Sequence, residues 1–281
     1  CWIAPDGWGR GDSFQAEIAA MSSGSRFTPK IIGIICNWCC YGGADLCGVS
    51  RFQYPPYIRL IRVMCSARAD LRHIFEAFLN GADGMFVGGC HLDDCHYITH
   101  GNYEALSMVR LATGLLEHAG VNPRRLRIEW VSAGEGIRFA NIMNEFSAEI
   151  KGLGPLGQGE GIAIDELKAR LEGIARLIPY IKLAKREQLA LHLRDNPAAY
   201  DELYPREEIE RLLREAPTYE IDPDKCQGCM ICARRCPVDA IVGAKKTAHA
   251  IAQDLCIKCG TCLAVCPQRF GAVRKIAAGP A

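Results

Sequence analysis

The stretch "KIIGIIC" (30–36) opens the ordered part of the chain and sets its fold. It is a short apolar run dominated by Ile, the signature of a strand buried on both faces. Three runs of the same kind follow: "YIRLIRVMC" (57–65), "DGMFVGGC" (83–90) and "RLRIEWVSA" (125–133). Helical patterns lie between and after them, in "ADLRHIFEAFLNG" (69–81), "NYEALSMVRLATGLLEHAG" (102–120) and "EGIRFANIMNEFSAEIKG" (135–152). Gly81, Gly120 and Gly152 stand just past the last periodic residue of each, where helix C-caps fall. Alternating strand and helix predicts an α/β fold, a small parallel, flavodoxin-like sheet joined by right-handed crossovers.

Upstream, residues 1–29 are Gly-rich and irregular, and they start at Cys1, with Met21 a plausible alternative start. Downstream, "GLGPLGQGEG" (152–161) reads as a linker and the first domain boundary. Ile164, Leu167, Leu171, Ile174, Ile178 and Ile181 then repeat at spacings of three and four, one apolar stripe on a helix. Pro179 is expected to kink or end that helix. "PREEIERLLREAP" (205–217) is a second helix bracketed by prolines, and the whole of 153–217 reads as a helical connector packed on its neighbours.

The chain of 281 residues carries a formal charge of +1, with acids and bases nearly equal. That balance argues against a nucleic-acid binder, which needs a basic excess or stripe. No run approaches the roughly 18–20 apolar residues that span a bilayer, so no membrane insertion is expected. The N-terminus has no secretory pattern. Its 16 cysteines therefore belong to a cytoplasmic, metal-binding chain rather than to a disulfide framework.

Eight of them fall in "CQGCMICARRCP" (226–237) and "CIKCGTCLAVCP" (256–267), two copies of C-x2-C-x2-C-x3-C-P. This is the bacterial ferredoxin spacing, in which three close cysteines take one cluster and the fourth crosses to the other. Cys226, Cys229, Cys232 and Cys266 are thus expected to hold one [4Fe-4S] cluster, and Cys256, Cys259, Cys262 and Cys236 the second. Pro237 and Pro267 stop the chain after each crossing cysteine. Residues 218–281 resemble the two-cluster ferredoxin domain, an α+β unit.

In the first half, Cys36, Cys65 and Cys90 each fall at the carboxyl end of a predicted strand, where open parallel sheets bind their ligands. "CNWC" (36–39) adds Cys39 and "GGCHLDDCH" (88–96) adds Cys95. Five thiols then surround one site, one more than a [2Fe-2S] cluster needs. His91 and His96 directly follow cysteines and are not expected to be ligands. Cys40 and Cys47 lack partners at useful spacing and read as structural thiols. Trp38, Tyr41 and Tyr97 read as packing around the site. "GGADLCG" (42–48) lacks the dinucleotide spacing and the Walker lysine. "SAGEG" (132–136) is more a tight turn than an anion site, and Asp93, Asp94 and Glu129 form no acid–base pair.

With "CNWCCYGGADLCGVSRFQYPP", "IRVMCSARAD" and "GADGMFVGGCHLDDCHY" in view, residues 30–152 resemble the delta subunit of methyl-viologen-reducing hydrogenase. The resemblance implies a [2Fe-2S] cluster held by four of Cys36, Cys39, Cys65, Cys90 and Cys95. It also implies an electron-transfer subunit in a hetero-oligomeric complex of anaerobes. Its partners would be a donor oxidoreductase and a heterodisulfide-reductase-A-like flavoprotein that bifurcates electrons. Two other readings compete: a thiol–disulfide redox protein using Cys36 and Cys39, and a zinc-stabilised interaction module.

Overall fold

Ile31, Ile34 and Ile35 are all buried, so the first strand has no solvent face and must lie inside a sheet. In the computed structural model, which describes residues 27–276, it does. Strand β1 (Ile31–Cys36) pairs in parallel with β2 (Ile58–Val63) on one side and β3 (Gly84–Gly89) on the other, and β3 pairs in parallel with β4 (Leu126–Trp130). The order β2-β1-β3-β4 is doubly wound, with its switch point between β1 and β3. The expected irregular segment 1–29, with Cys1 and Met21, lies almost wholly outside the described residues.

Helices cover both faces. On one, α1 (Cys39–Val49) and α4 (Gly136–Leu153) enclose Ile35, Phe86, Val131, Phe139 and Phe146. On the other, α2 (Leu71–Leu79) and α3 (Gly101–Ala119) enclose Ile34, Met85, Val87, Phe75 and Leu115. Glycine makes the first face thin. A Cβ on Gly88 would stand 2.3 Å from Cys40 Sγ, and one on Gly43 would stand 2.8 Å from Val131. Helix α1 was not expected from "CCYGGADLCGV", because three glycines lower helix propensity. Burial of Cys40, Gly43 and Cys47 along one edge supplies what propensity lacks.

Three expectations need correction. Helix α4 runs past Gly152 and is terminated by Gly154, which takes φ +76°. The stretch 152–161 is not a free linker, because it contains the buried partner of a buried arginine. Arg125 and Glu160, 0% and 4% exposed, pair at 2.5 Å, while Asp83 accepts from Leu156 N at 2.9 Å and offers its carbonyl to Arg125. Helix α5 (Ile164–Ala184) does not end at Pro179. Interior proline costs about 3 kcal/mol, and Ile174, Ile178 and Ile181, buried against the α2–α3 face, offset it.

A short helix α6 (Arg186–Leu189) and α7 (Arg206–Arg214) complete the connector. Beyond it, β5 (Thr218–Ile221) pairs antiparallel with β8 (Val273–Ile276), and β6 (Ile241–Val242) with β7 (Ala250–Ile251). Two five-residue helices, α8 (Ile231–Arg235) and α9 (Thr261–Val265), lie between these ladders. No helix among the described residues is long and apolar enough to cross a membrane.

Candidate metal centres

Each five-residue helix serves two sites. Cys232 lies within α8 and Cys236 caps its end; Cys262 and Cys266 stand likewise on α9. One cavity, with about 320 Å³ of empty space, is lined by Cys226, Cys229, Cys232 and Cys266. A second of the same size is lined by Cys256, Cys259, Cys262 and Cys236. Each cavity is thus lined by three thiols of one run and the last thiol of the other. The remaining lining is largely apolar, with Ile221, Phe270 and Val273 at the first cavity and Val238, Ile241 and Ile251 at the second.

Main-chain N–H groups point at these sulfurs, Ala240 N to Cys236 at 3.3 Å and His249 N to Cys226 at 3.4 Å. Burial pushes the Cys262 thiol up to about 11 and Cys232 in the same direction. Such thiols stay protonated by themselves and ionise when a metal replaces the proton. Four soft sulfur donors around a largely apolar cavity suit an iron–sulfur cluster.

In the α/β half, Cys36 ends β1 and Cys90 follows β3, so the two meet across the switch point with their sulfurs 3.7 Å apart. Cys39 begins α1, and Cys65 stands just after β2, where burial pushes its thiol up. The facing Cys90 S–H holds Cys36 down at about 6 against its burial, helped by the N–H groups of Cys40, Cys39 and Trp38. Cys90 is correspondingly raised, first by Cys36 and then by burial. A helix N-terminus that stabilises thiolate is a ready place for a metal ligand. Among the described residues, no three His, Cys, Asp or Glu side chains converge as one metal ion would require. The ligands of a cluster are shared among several irons, at most two on any one, and need no such convergence.

Neighbouring side chains are occupied elsewhere. His91 Nε2 is 2.6 Å from Glu135 Oε2, and that carboxylate also accepts from Ser132 N at 2.7 Å, closing the tight turn expected at 132–136. His96 stacks on Trp38 with ring centroids 3.8 Å apart, and Trp38 Nε1 donates to Tyr97 Oη at 3.3 Å. Tyr41 packs on the α1–α4 core and under Arg62. Asp93 accepts from Tyr103 Oη at 2.9 Å, and burial, then Asp93, pushes that phenol up to about 12. Glu129 pairs with Arg127 and Arg138 along an open groove of about 1000 Å³ that contains no thiol. Cys40 and Cys47 are fully buried, Cys47 donating to Phe52 O.

Sequence reasoning passed over Asn102. It is fully buried and its Nδ2 donates to the carbonyls of His91 at 2.7 Å and Cys90 at 3.3 Å, fixing the loop that carries Cys90 and Cys95. The signal was an asparagine in the first turn of α3. Gly101, beside it, leaves room for Cys65, whose sulfur would stand 2.4 Å from an added Cβ.

Residues 219–272 match the 4Fe-4S dicluster domain. An iron-sulfur subunit of the F420-non-reducing hydrogenase of Archaeoglobus profundus is 51% identical over 130 residues, 46% of this chain and 94% of that protein. Its counterpart from Methanococcus voltae, the vhc iron-sulfur subunit, is 51% identical over 46% of this chain and 90% of its own length. One subunit of the ferredoxin/F420H2-dependent CoB-CoM heterodisulfide reductase of Methanosarcina acetivorans is 44% identical over 52% of this chain, but only 18% of that protein is spanned. Residues 31–154 match the family described as methyl-viologen-reducing hydrogenase, delta subunit. With those residues forming the sheet and its thiol group, the chain belongs to the methyl-viologen-reducing hydrogenase delta subunit family, extended by a 4Fe-4S dicluster domain.

Proposed function

We propose that this chain is an iron–sulfur electron-transfer subunit with three clusters. Cys226, Cys229, Cys232 and Cys266 would hold one [4Fe-4S] cluster, Cys256, Cys259, Cys262 and Cys236 another, and four of Cys36, Cys39, Cys65, Cys90 and Cys95 a [2Fe-2S] cluster. When bound, such clusters accept and release single electrons. The protein's part is to supply thiolates, direct N–H groups at them and keep water away. The observation that carries the reading is the number and grouping of thiols: two cavities lined by four each, and Cys36 and Cys90 facing each other at the switch point, 3.7 Å apart.

In this reading the chain divides into an N-terminal segment (1–29), an iron–sulfur α/β unit (30–152), a connector (153–217) and a dicluster unit (218–281). The relatives named as hydrogenase and heterodisulfide reductase subunits motivate the partners. These are a donor oxidoreductase and a heterodisulfide-reductase-A-like flavoprotein, in a hetero-oligomeric, electron-bifurcating complex in the cytoplasm of an anaerobe. The test is anaerobic iron and sulfide quantitation with EPR on the full chain. About ten irons are expected, eight in two cubanes and two in the binuclear site. Eight irons with no binuclear signal would remove the third cluster.

The low value of Cys36 is also what a thiol nucleophile shows. Its sulfur lies on a residue only 1% exposed, closed to a substrate disulfide. Stoichiometric alkylation of Cys36 in an iron-free protein would favour that rival, and zinc in a colourless preparation would favour the zinc module.

A further inference from the structure

The two cysteine runs are thirty residues apart, and the structure around them follows the same offset. Tyr219 in β5 lines the second cavity, and its counterpart, His249 beside β7, lines the first. Met230 and Gly260 are likewise counterparts. Each precedes a five-residue helix with a left-handed backbone, φ +66° and +77°. Gly260 sits under the Tyr219 hydroxyl, 2.8 Å from an added Cβ, while Met230 presents its sulfur 3.1 Å from His249 Nε2. A Tyr–Gly pair on one side has become a His–Met pair on the other, and Met230 occupies a backbone region that favours glycine.

The exchange changes what faces the sulfurs. His249 is 3% exposed, with Nδ1 3.7 Å and its backbone N 3.4 Å from Cys226 Sγ. A ligating thiolate only accepts, so a hydrogen bond to it requires the proton on Nδ1. Hydrogen bonds to ligand sulfur favour the more negative, reduced state of a cluster and raise its potential. We propose that His249 is a positioning residue that makes the two sites unequal, so that the Cys226/Cys229/Cys232/Cys266 site takes an electron before its partner. This rests on the two-cubane reading. Electrons entering the dicluster unit then collect on the His249 side.

The test is an EPR-monitored redox titration of the anaerobic full-length protein, after iron quantitation. Two unequal midpoints are expected in the wild type. His249→Phe removes the side-chain donor and is expected to lower the higher midpoint. The predicted loss is roughly tenfold in the partition of one electron between the sites, about 59 mV. His249→Asn keeps an N–H near Nδ1 and should stay close to wild type. Tyr219→His gives the second site the same donor and should narrow the gap from below. An iron-loaded His249→Phe with both midpoints unmoved would overturn the proposal. Should that variant lose iron, the His249→Asn and Tyr219→His titrations decide it, and an unchanged gap in Tyr219→His would sink it. Absence of cubane iron in the wild type would instead defeat the underlying reading, before any titration.

Discussion

Gly88→Ala is the sharpest test of how the α/β half holds its thiols. The new Cβ would meet Cys40 Sγ at 2.3 Å, Phe86 Cε1 at 2.9 Å and Ile35 Cγ2 at 3.1 Å. Strand β3 is locked between β1 and β4, so α1 must retreat. The retreat is roughly 0.7 Å, the difference between 2.3 Å and the 3.0 Å that real contacts sustain. Overpacking of this kind costs about 1–3 kcal/mol, or about 2–12 °C of melting temperature at this size. Helix α1 carries Cys39 and follows Cys36, so the N-terminal site should also lose iron while the dicluster unit keeps its eight. Cys40→Ala removes the obstructing sulfur and should cost about 1 kcal/mol alone. The double variant should then be at least about 1 kcal/mol more stable than the sum of the singles predicts. Anaerobic calorimetry with iron quantitation measures both. Strict additivity, or iron loss in Cys40→Ala alone, would refute the reasoning, the latter by making Cys40 a ligand.

Glu160→Gln leaves buried Arg125 without its countercharge and should cost about 3–5 kcal/mol, whereas Arg125→Met with Glu160→Leu should recover most of that in thermal melts. Asn102→Ala strands the Cys90 and His91 carbonyls, costing about 1–3 kcal/mol and speeding amide exchange in the 90–100 loop. Hydrogen bonds from Lys185, then Arg211, hold the Glu208 carboxyl below its usual range. A depressed folded value means stability that is complete above the unfolded value and lost as pH falls through the folded one. The gap in urea midpoint between wild type and Lys185→Met should therefore be flat from pH 8 to about pH 5 and shrink below about pH 4. A gap that grows on acidification would contradict the pairing.

The strands were legible because burial on both faces leaves an unbroken apolar run, as in residues 31–36. Cys236 and Cys266 each end a five-residue helix, a length too short to leave them in the cavity of the run they belong to. Helix α1 was hidden: its glycines look like a loop until the sheet glycine opposite them, Gly88, is known. Pro179 misled for the same reason, since the apolar stripe around it outweighs a local penalty only once α2 and α3 are there to receive it. Glu160 was masked by its glycine neighbours, and nothing local marks it as the partner of Arg125, 35 residues away. Asn102 likewise acts on a loop that sequence does not fold.

The two short helices of the dicluster unit have a consequence for how it fails. Each runs from a thiol of one cavity to a thiol of the other, so neither half is self-sufficient. Under the proposed ligation, oxygen that strips iron from one site releases a helix end from each half and loosens a ligand set it never touched. Damage should spread within the unit, and repair must refill both sites together. A cell would then hold this protein as intact or wholly bleached, with little in between.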